Sequence, residues 1–177
     1  MQLSEKIRLT IRDVIDYPKP GIVFKDITPV LAQPGLVREI VQSMVANFKP
    51  HNIDAIAAIE ARGFIFGSIL AHELNCRLIP VRKAGKLPYK TRKQSYDLEY
   101  GVAAVEIHED AIEPGWRVLM HDDLLATGGT AGAAGNLIEG LGGVVAGFSF
   151  LINLSFLPGE QNLARRFGVK PQYLVSY

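Results

Sequence analysis

A chain of 177 residues is the size of one α/β domain, and a hydrophobic content of 48% is enough for a sheet covered on both faces. Nineteen basic against eighteen acidic residues leave a net charge of +1, which gives no support to general nucleic-acid or polyanion binding. No stretch approaches the roughly eighteen apolar residues of a membrane span. The single cysteine, Cys76, excludes an internal disulfide and a cysteine-based metal site. The expectation is a soluble, cytoplasmic protein with neither nucleic acid nor membrane as partner. In chain order, Leu3, Ile7, Ile11 and Val14 or Ile15 predict an amphipathic first helix that ends before Pro18 and Pro20. Residues 36–48 predict a second helix, with Ile40, Val41, Met44, Val45 and Phe48 facing inward. Residues 55–59 read as a strand, 64–74 as a helix and 77–81 as another strand. A loop over 84–96 leads to a hairpin around 102–107. Val118, Leu119 and Met120 then read as a buried parallel strand with Asp122 and Asp123 at its carboxyl end. Thr127 to Thr130 turn the chain into a helix whose Ala134, Leu137, Ile138 and Leu141 share one buried face. Residues 144–151 form a last long apolar strand before a short helix near 161–167. This βα repetition predicts an α/β fold, a parallel twisted sheet with helices on both faces, in a single domain over residues 1–177.

The stretch VLMHDDLLATGGT, Val118 to Thr130, carries the chemistry. In open α/β sheets ligands collect beyond the carboxyl ends of strands, and a glycine turn into a helix offers bare N–H groups and a positive dipole end to a phosphate. Two carboxylates beside such an anion hole would repel the ligand unless they held sugar hydroxyls or a divalent cation, so sugar, phosphate and metal are implied together. A P-loop is excluded, because no Gly-Lys-Ser/Thr follows Gly128, Gly129, Gly132 or Gly135. The spacing GGTAGAAG also fails the dinucleotide fingerprint. The plainer alternative is that the acids start a turn and the glycines close it.

Other segments offer partners for such a site. Glu60, Ala61, Arg62 and Gly63 lie between a strand and a helix, where Gly63 permits close approach and Arg62 can hold phosphate oxygens as a fork, although a lone arginine is equally a surface ion-pair residue. Arg82, Lys83 and Lys86, with Lys90, Arg92 and Lys93 beyond them, are a basic run that is either a solvated face or a mobile cover for an anionic ligand. Ile22, Val23, Phe24 and Lys25 form an apolar segment able to hold a flat heterocycle between Phe24 and Leu124, or simply to pack in a core. Glu99, followed by Tyr100, is either a solvated acid or a proton-handling group on a loop.

VLMHDDLLATGGT resembles the phosphoribosyl diphosphate (PRPP) motif of the type I phosphoribosyltransferases. With YPKPGIVFKDITPVL, IEARGFIFG, VRKAGKLP and SYDLEYG in the same order, the chain from about Tyr17 to Leu151 is similar to the adenine phosphoribosyltransferase family. The resemblance implies the type I fold with a small N-terminal hood, mainly residues 1–35, and the reaction adenine plus PRPP to AMP plus pyrophosphate in purine salvage. It implies catalytic roles for Glu99 and Arg62. Asp122 and Asp123 would take the ribose, and Ala126, Thr127, Gly128, Gly129 and Thr130 the 5-phosphate. Pyrophosphate would meet Glu60, Ala61, Arg62, Arg82, Lys83 and Lys86, with the peptide between Glu60 and Ala61 cis. Adenine would be read at Val23, Phe24, Lys25 and Leu124, the backbone of Val23 and Lys25 selecting it. Mg2+ would be held mainly through PRPP with Asp122 and Asp123 nearby, and the basic run would reach a neighbouring site in a homodimer. His121 departs from the pattern, standing where the motif usually has an apolar residue, and Lys25 stands where arginine is frequent. Two rivals remain: a regulatory PRPP or nucleotide sensor that binds nucleic acid, disfavoured by the charge balance, and a transferase for hypoxanthine, guanine or xanthine.

Overall fold

The structure, a computed structural model, describes residues 1–98 and 101–177. The chain divides into two compact units, residues 1–43 and 44–177. The first opens with α1 (Leu3–Thr10), which buries Ile7. The predicted helix extends to Val14 or Ile15, but it stops at Ile11, whose backbone is already extended. Arg12–Ile15 is instead β1, antiparallel to β2 (Val23–Asp26) with Arg12 opposite Asp26 and Val14 opposite Phe24. The helical spacing holds only as far as Ile11, since Ile15 is 74% exposed. The cross-strand pair Arg12 Nη2 to Asp26 Oδ2 at 2.7 Å and the β-branched pair Val14–Ile15 favour the extended form. The short turn α2 (Thr28–Leu31) follows, and α3 (Pro34–Phe48) begins two residues before its predicted start. Ile40, Val41, Met44 and Phe48 are buried as the spacing predicts. Val45 is half-buried.

The second unit is built on a seven-stranded sheet. Its strands are β3 (Ala55–Ile59), β4 (Arg77–Lys83), β5 (Thr91–Leu98), β6 (Gly101–His108), β7 (Arg117–Leu125), β8 (Val144–Asn153) and β9 (Gln172–Ser176). They lie in the order β5-β6-β4-β3-β7-β8-β9. The run from β4 to β9 is parallel, whereas β6 is antiparallel to both β4 and β5. The sheet is therefore mixed rather than wholly parallel. Two strands depart from the sequence expectation. Residues 91–98 are not loop but the outer strand β5, and β8 is followed by β9 at the other edge. TRKQSYDL carries almost no apolar alternation, because an edge strand needs only one face covered and benefits from charge.

Alternation along the central strands separates two faces. Ala55, Ala57 and Ile59 of β3 and Val118 and Met120 of β7 join a cluster with Ala131, Ala134, Leu137 and Ile138 of α5 (Gly129–Gly140) and Leu163 of α6 (Gly159–Phe167). On the opposite face a Cβ at Gly67, in α4 (Gly63–Glu73), would meet Ala58 and the His121 ring. Each fully buried large side chain of the cluster, such as Phe148, contributes about 1.5–3 kcal/mol. Helices thus cover both faces of the unit, as the βα repetition predicts. Strand order reverses around β3, which leads to β4 on one side while β7 lies on the other. A crevice at the carboxyl ends of β3 and β7 follows from that topology.

Candidate active site

Two loops frame this crevice. The first joins β3 to α4 through Glu60, Ala61 and Arg62, and its Glu60–Ala61 peptide is cis, as the resemblance implies. Arg62 occupies the N-cap position of α4 without capping it by a side-chain hydrogen bond, and the Phe64 and Ile65 amides close the first turn on the Ala61 and Arg62 carbonyls. Gly63 is required by contact: a Cβ there would lie 2.9 Å from Asp122 Oδ1 and 3.1 Å from the His121 carbonyl. Only a residue without a side chain lets the end of α4 abut β7.

The second loop leaves β7. The strand runs through Asp122 and Asp123 to Leu125, paired with β8 as far as Asn153, so the acids lie within the strand rather than after it. Gly128, at φ +83°, supplies the left-handed bend before α5, and no side chain caps that helix. Asp122, Leu124, Leu125 and residues 126–131 line a cavity of 80 Å³. That space suits a phosphate, not a base, and the uncapped helix end gives it positive character. Asn162 of α6 donates to the Thr127 carbonyl at 3.0 Å and braces the turn from behind.

The acids are electrostatically distinct. The Asp123 amide donates to Asp122 Oδ1 at 2.8 Å, and Arg62 Nε stands 3.0 Å from Asp123 Oδ2. That contact is an ion pair rather than an aligned hydrogen bond, because Asp123 Oδ2 is buried without a hydrogen-bond partner. Burial, then the charge of Asp123, pushes the Asp122 carboxyl well above the usual range. Burial also raises Asp123, with Arg62 opposing it. Both carboxylates are held against their solvation, ready to exchange a costly environment for ligand contacts.

Arg82, at the end of β4, adjoins the first loop. Its Nε donates to Glu60 Oε2 at 2.6 Å and its Nη1 to the Lys86 carbonyl at 3.0 Å. Lys83 and Lys86 are exposed. The structure thus brings Glu60, Ala61, Arg62, Arg82 and Lys86 into one neighbourhood, joined to Asp123 through Arg62. Arg92 and Lys93 have other partners: Arg92 Nη1 donates to the Gly140 carbonyl at the far end of α5, and Lys93 lies 3.7 Å from Glu106 Oε2. Leu124 is half-buried. In the first unit, Phe24 packs edge-on against Tyr17 at 5.2 Å, Val23 is exposed and Lys25 Nζ pairs with Asp13 at 2.7 Å. Glu99 and Tyr100 lie outside the described residues. His121 is fully buried, as a core histidine would be, with the Ser149 backbone beside its ring but no well-aligned hydrogen bond to either ring nitrogen. Sequence reasoning missed two polar residues of the site, Asn162 and Glu106. Asn162 carries no local signal, whereas an acid inside GVAAVEIH is a visible anomaly.

Comparison with known proteins agrees with this geometry. The phosphoribosyl transferase domain family matches residues 26–159. An adenine phosphoribosyltransferase of Cytophaga hutchinsonii is 51% identical over 175 residues, 99% of this chain and 96% of that protein. The crystal structure of adenine phosphoribosyltransferase from Thermoanaerobacter pseudethanolicus superposes with a TM-score of 0.94 at 45% identity, covering 99% of this chain and 100% of the other. The Saccharomyces cerevisiae enzyme, complexed with an imino-altritol bisphosphate and adenine, gives a TM-score of 0.90 at 35% identity, covering 97% and 98%. Matched by the family model over residues 26–159 and by relatives over nearly its whole length, the chain belongs to the phosphoribosyl transferase family and, within it, to the adenine phosphoribosyltransferases.

Proposed function

We infer that the chain transfers the phosphoribosyl group of PRPP to adenine, forming AMP and pyrophosphate. The observation that carries this reading is the pair of uncapped helix N-termini after β3 and β7, with the Asp122–Asp123 pair beside both. One turn takes the 5-phosphate on Ala126 to Thr130, and the other takes pyrophosphate on Glu60, Ala61 and Arg62, with Arg82, Lys83 and Lys86 alongside. Asp122 and Asp123 hold the ribose hydroxyls between them. Fixing both ends of PRPP aligns C1 for attack by adenine N9, and the cations stabilise charge that grows on the departing diphosphate. Glu99 manages the proton of the base. The backbone at Val23 and Lys25 reads adenine, with Phe24 and Leu124 supplying apolar faces.

Magnesium fits this site as a companion of the substrate. Among the described residues no group of three His, Cys, Asp or Glu side chains is placed to cage a metal. The buried Asp123 Oδ2, without a hydrogen bond, is one protein oxygen on which a diphosphate-bound cation can lean. A divalent cation held beside Asp122 and Asp123 would supply charge neutralisation of the leaving diphosphate. Residues 1–177 work as a single phosphoribosyltransferase domain, with the hood drawn from the first unit, in a cytoplasmic homodimer. No described helix is long and apolar enough to cross a membrane. The test is base competition with PRPP and magnesium, reading which nucleotide forms. AMP as the dominant product, and loss of turnover with excess chelator, are expected; equal use of hypoxanthine refutes the base assignment.

A further inference from the structure

Glu106 lies in β6 with 1% exposure, in a strand otherwise apolar at its inner end. A buried carboxylate is costly unless its charge is answered by hydrogen bonds or cations. Here Oε1 accepts the amides of Lys86 and Leu87, each at 2.9 Å, and Oε2 accepts the Thr91 hydroxyl at 3.2 Å. The register sets Glu106 opposite Arg82 on one neighbouring strand and Lys93 on the other. Burial works against the charge, yet the amides of Leu87, Gly85 and Lys86 and the Thr91 hydroxyl win and hold the carboxyl down at about 2. It is ionised at every physiological pH.

The amide donors, Lys86 and Leu87, belong to the connection between β4 and β5, and the hydroxyl donor, Thr91, is the first residue of β5. From within, Glu106 holds the Lys86 amide; from outside, Arg82 Nη1 holds the Lys86 carbonyl while its Nε holds Glu60. One residue is thus clamped on both sides, and the clamp ends at the turn after β3. We propose that Glu106 is a positioning residue for the pyrophosphate half of the site, folding residues 85–91 around its buried carboxylate so that Lys86 and Arg82 are presented in fixed places. The inference rests on the reading of Arg82 and Lys86 as pyrophosphate ligands. Glu106 itself meets no substrate; it acts through the loop. An amide cannot replace it, since an NH₂ group would face either the two backbone N–H donors or the Lys93 ammonium.

The test is steady-state kinetics in both directions for Glu106→Gln, Thr91→Val and Lys86→Ala, with thermal unfolding of each. Glu106→Gln is expected to raise KM for PRPP, and KM for pyrophosphate in the reverse reaction, by about tenfold, the effect of weakening one charge-assisted anchor. KM for adenine and for AMP should stay within about twofold, because the anchored loop serves only the diphosphate. Thr91→Val, which removes one donor and keeps the carboxylate, should show the same pattern more weakly and carries the test if Glu106→Gln does not fold. Lys86→Ala separates the two ideas. If it raises both diphosphate constants while neither other variant does, the positioning role is overturned and the pyrophosphate reading stands. If none of the three moves them, the pyrophosphate reading of the loop fails and takes the proposal with it. A uniform rise in every KM, or a lower Tm alone, makes Glu106 a strut of the fold and overturns the proposal.

Discussion

At the scale of single residues, the site contains groups held away from their preferred charge states. Replacing Asp123 by Asn keeps its shape but weakens the contact to Arg62 and the proposed hold on the ribose, so kcat/KM for PRPP should fall on the order of 10²-fold, the cost of one preorganised electrostatic group. Parent-like rates would reduce Asp123 to a structural role. His121 gives a test in pH. Burial brings its pKa from 6.5 to about 3, so the unfolded chain binds a proton that the native protein refuses between these values. Stability from this residue is complete above pH 6.5 and falls with acidification, by about 1.4 kcal/mol per pH unit within the window. Asp26 acts lower: hydrogen bonds from Thr28, then Arg12, bring its carboxyl to about 2, so its contribution is present above the ordinary carboxylate range and lost as pH falls toward 2. Asp122 and Asp123 act in the opposite sense, since their raised values favour the folded state on the acid side. His121→Leu should therefore flatten the decline in urea midpoint between pH 6 and pH 4 while leaving the steeper loss below it. An unchanged slope would mean that the buried ring is charged.

At the scale of elements, what matters is how closely a helix end approaches a strand. Gly63→Ala sets a Cβ within 3.1 Å of the Asp122 Cα and the His121 carbonyl, and backbone cannot yield as a flexible side chain does. The cost should be about 1–3 kcal/mol, typical of overpacking, with Tm lower by roughly 2–4 °C for each kcal/mol. Activity should fall with it, because Asp122 is what moves; calorimetry and PRPP kinetics on one sample check both. In β2 the Lys25 side chain is engaged by Asp13, so the base reading proposed here would fall to the backbone. Lys25→Ala should keep the preference for adenine over hypoxanthine, at least about 10²-fold for two mismatched polar groups. Phe24→Ala should weaken every purine alike. The ratio of catalytic efficiencies in the three proteins decides, and a collapse in Lys25→Ala would assign selectivity to the side chain.

At the scale of the whole molecule, the exposed Lys83 at the end of β4 and Lys86 on the β4–β5 connection suit a site shared between copies. Sedimentation should give about twice the 19.4 kDa of one chain. A fully active monomer at assay concentration would reject both the dimer and the shared site.

Some of this was written in local sequence, and its physical reason is burial. β3, α4, β7 and α5 are covered by neighbours, so periodicity and composition must satisfy that burial, and the predicted bounds fall within a few residues of those found. The glycines of the turns after β3 and β7 are also legible, because a left-handed bend at Gly128 and a contact at Gly63 each exclude a side chain. β5 and β1 were not legible. Their polar residues are paid for by partners far along the chain, such as Glu106 for Lys93 and Asp26 for Arg12, and no local window contains both members. The partners of the charged groups belong to the same class. Sequence alone put Arg62, Asp123, Arg82 and Glu60 forward as candidates, but only the reversal of strand order around β3 brings Arg62 to Asp123 and Arg82 to Glu60. Charge acts through space, and the tertiary structure sets the distances over which it acts.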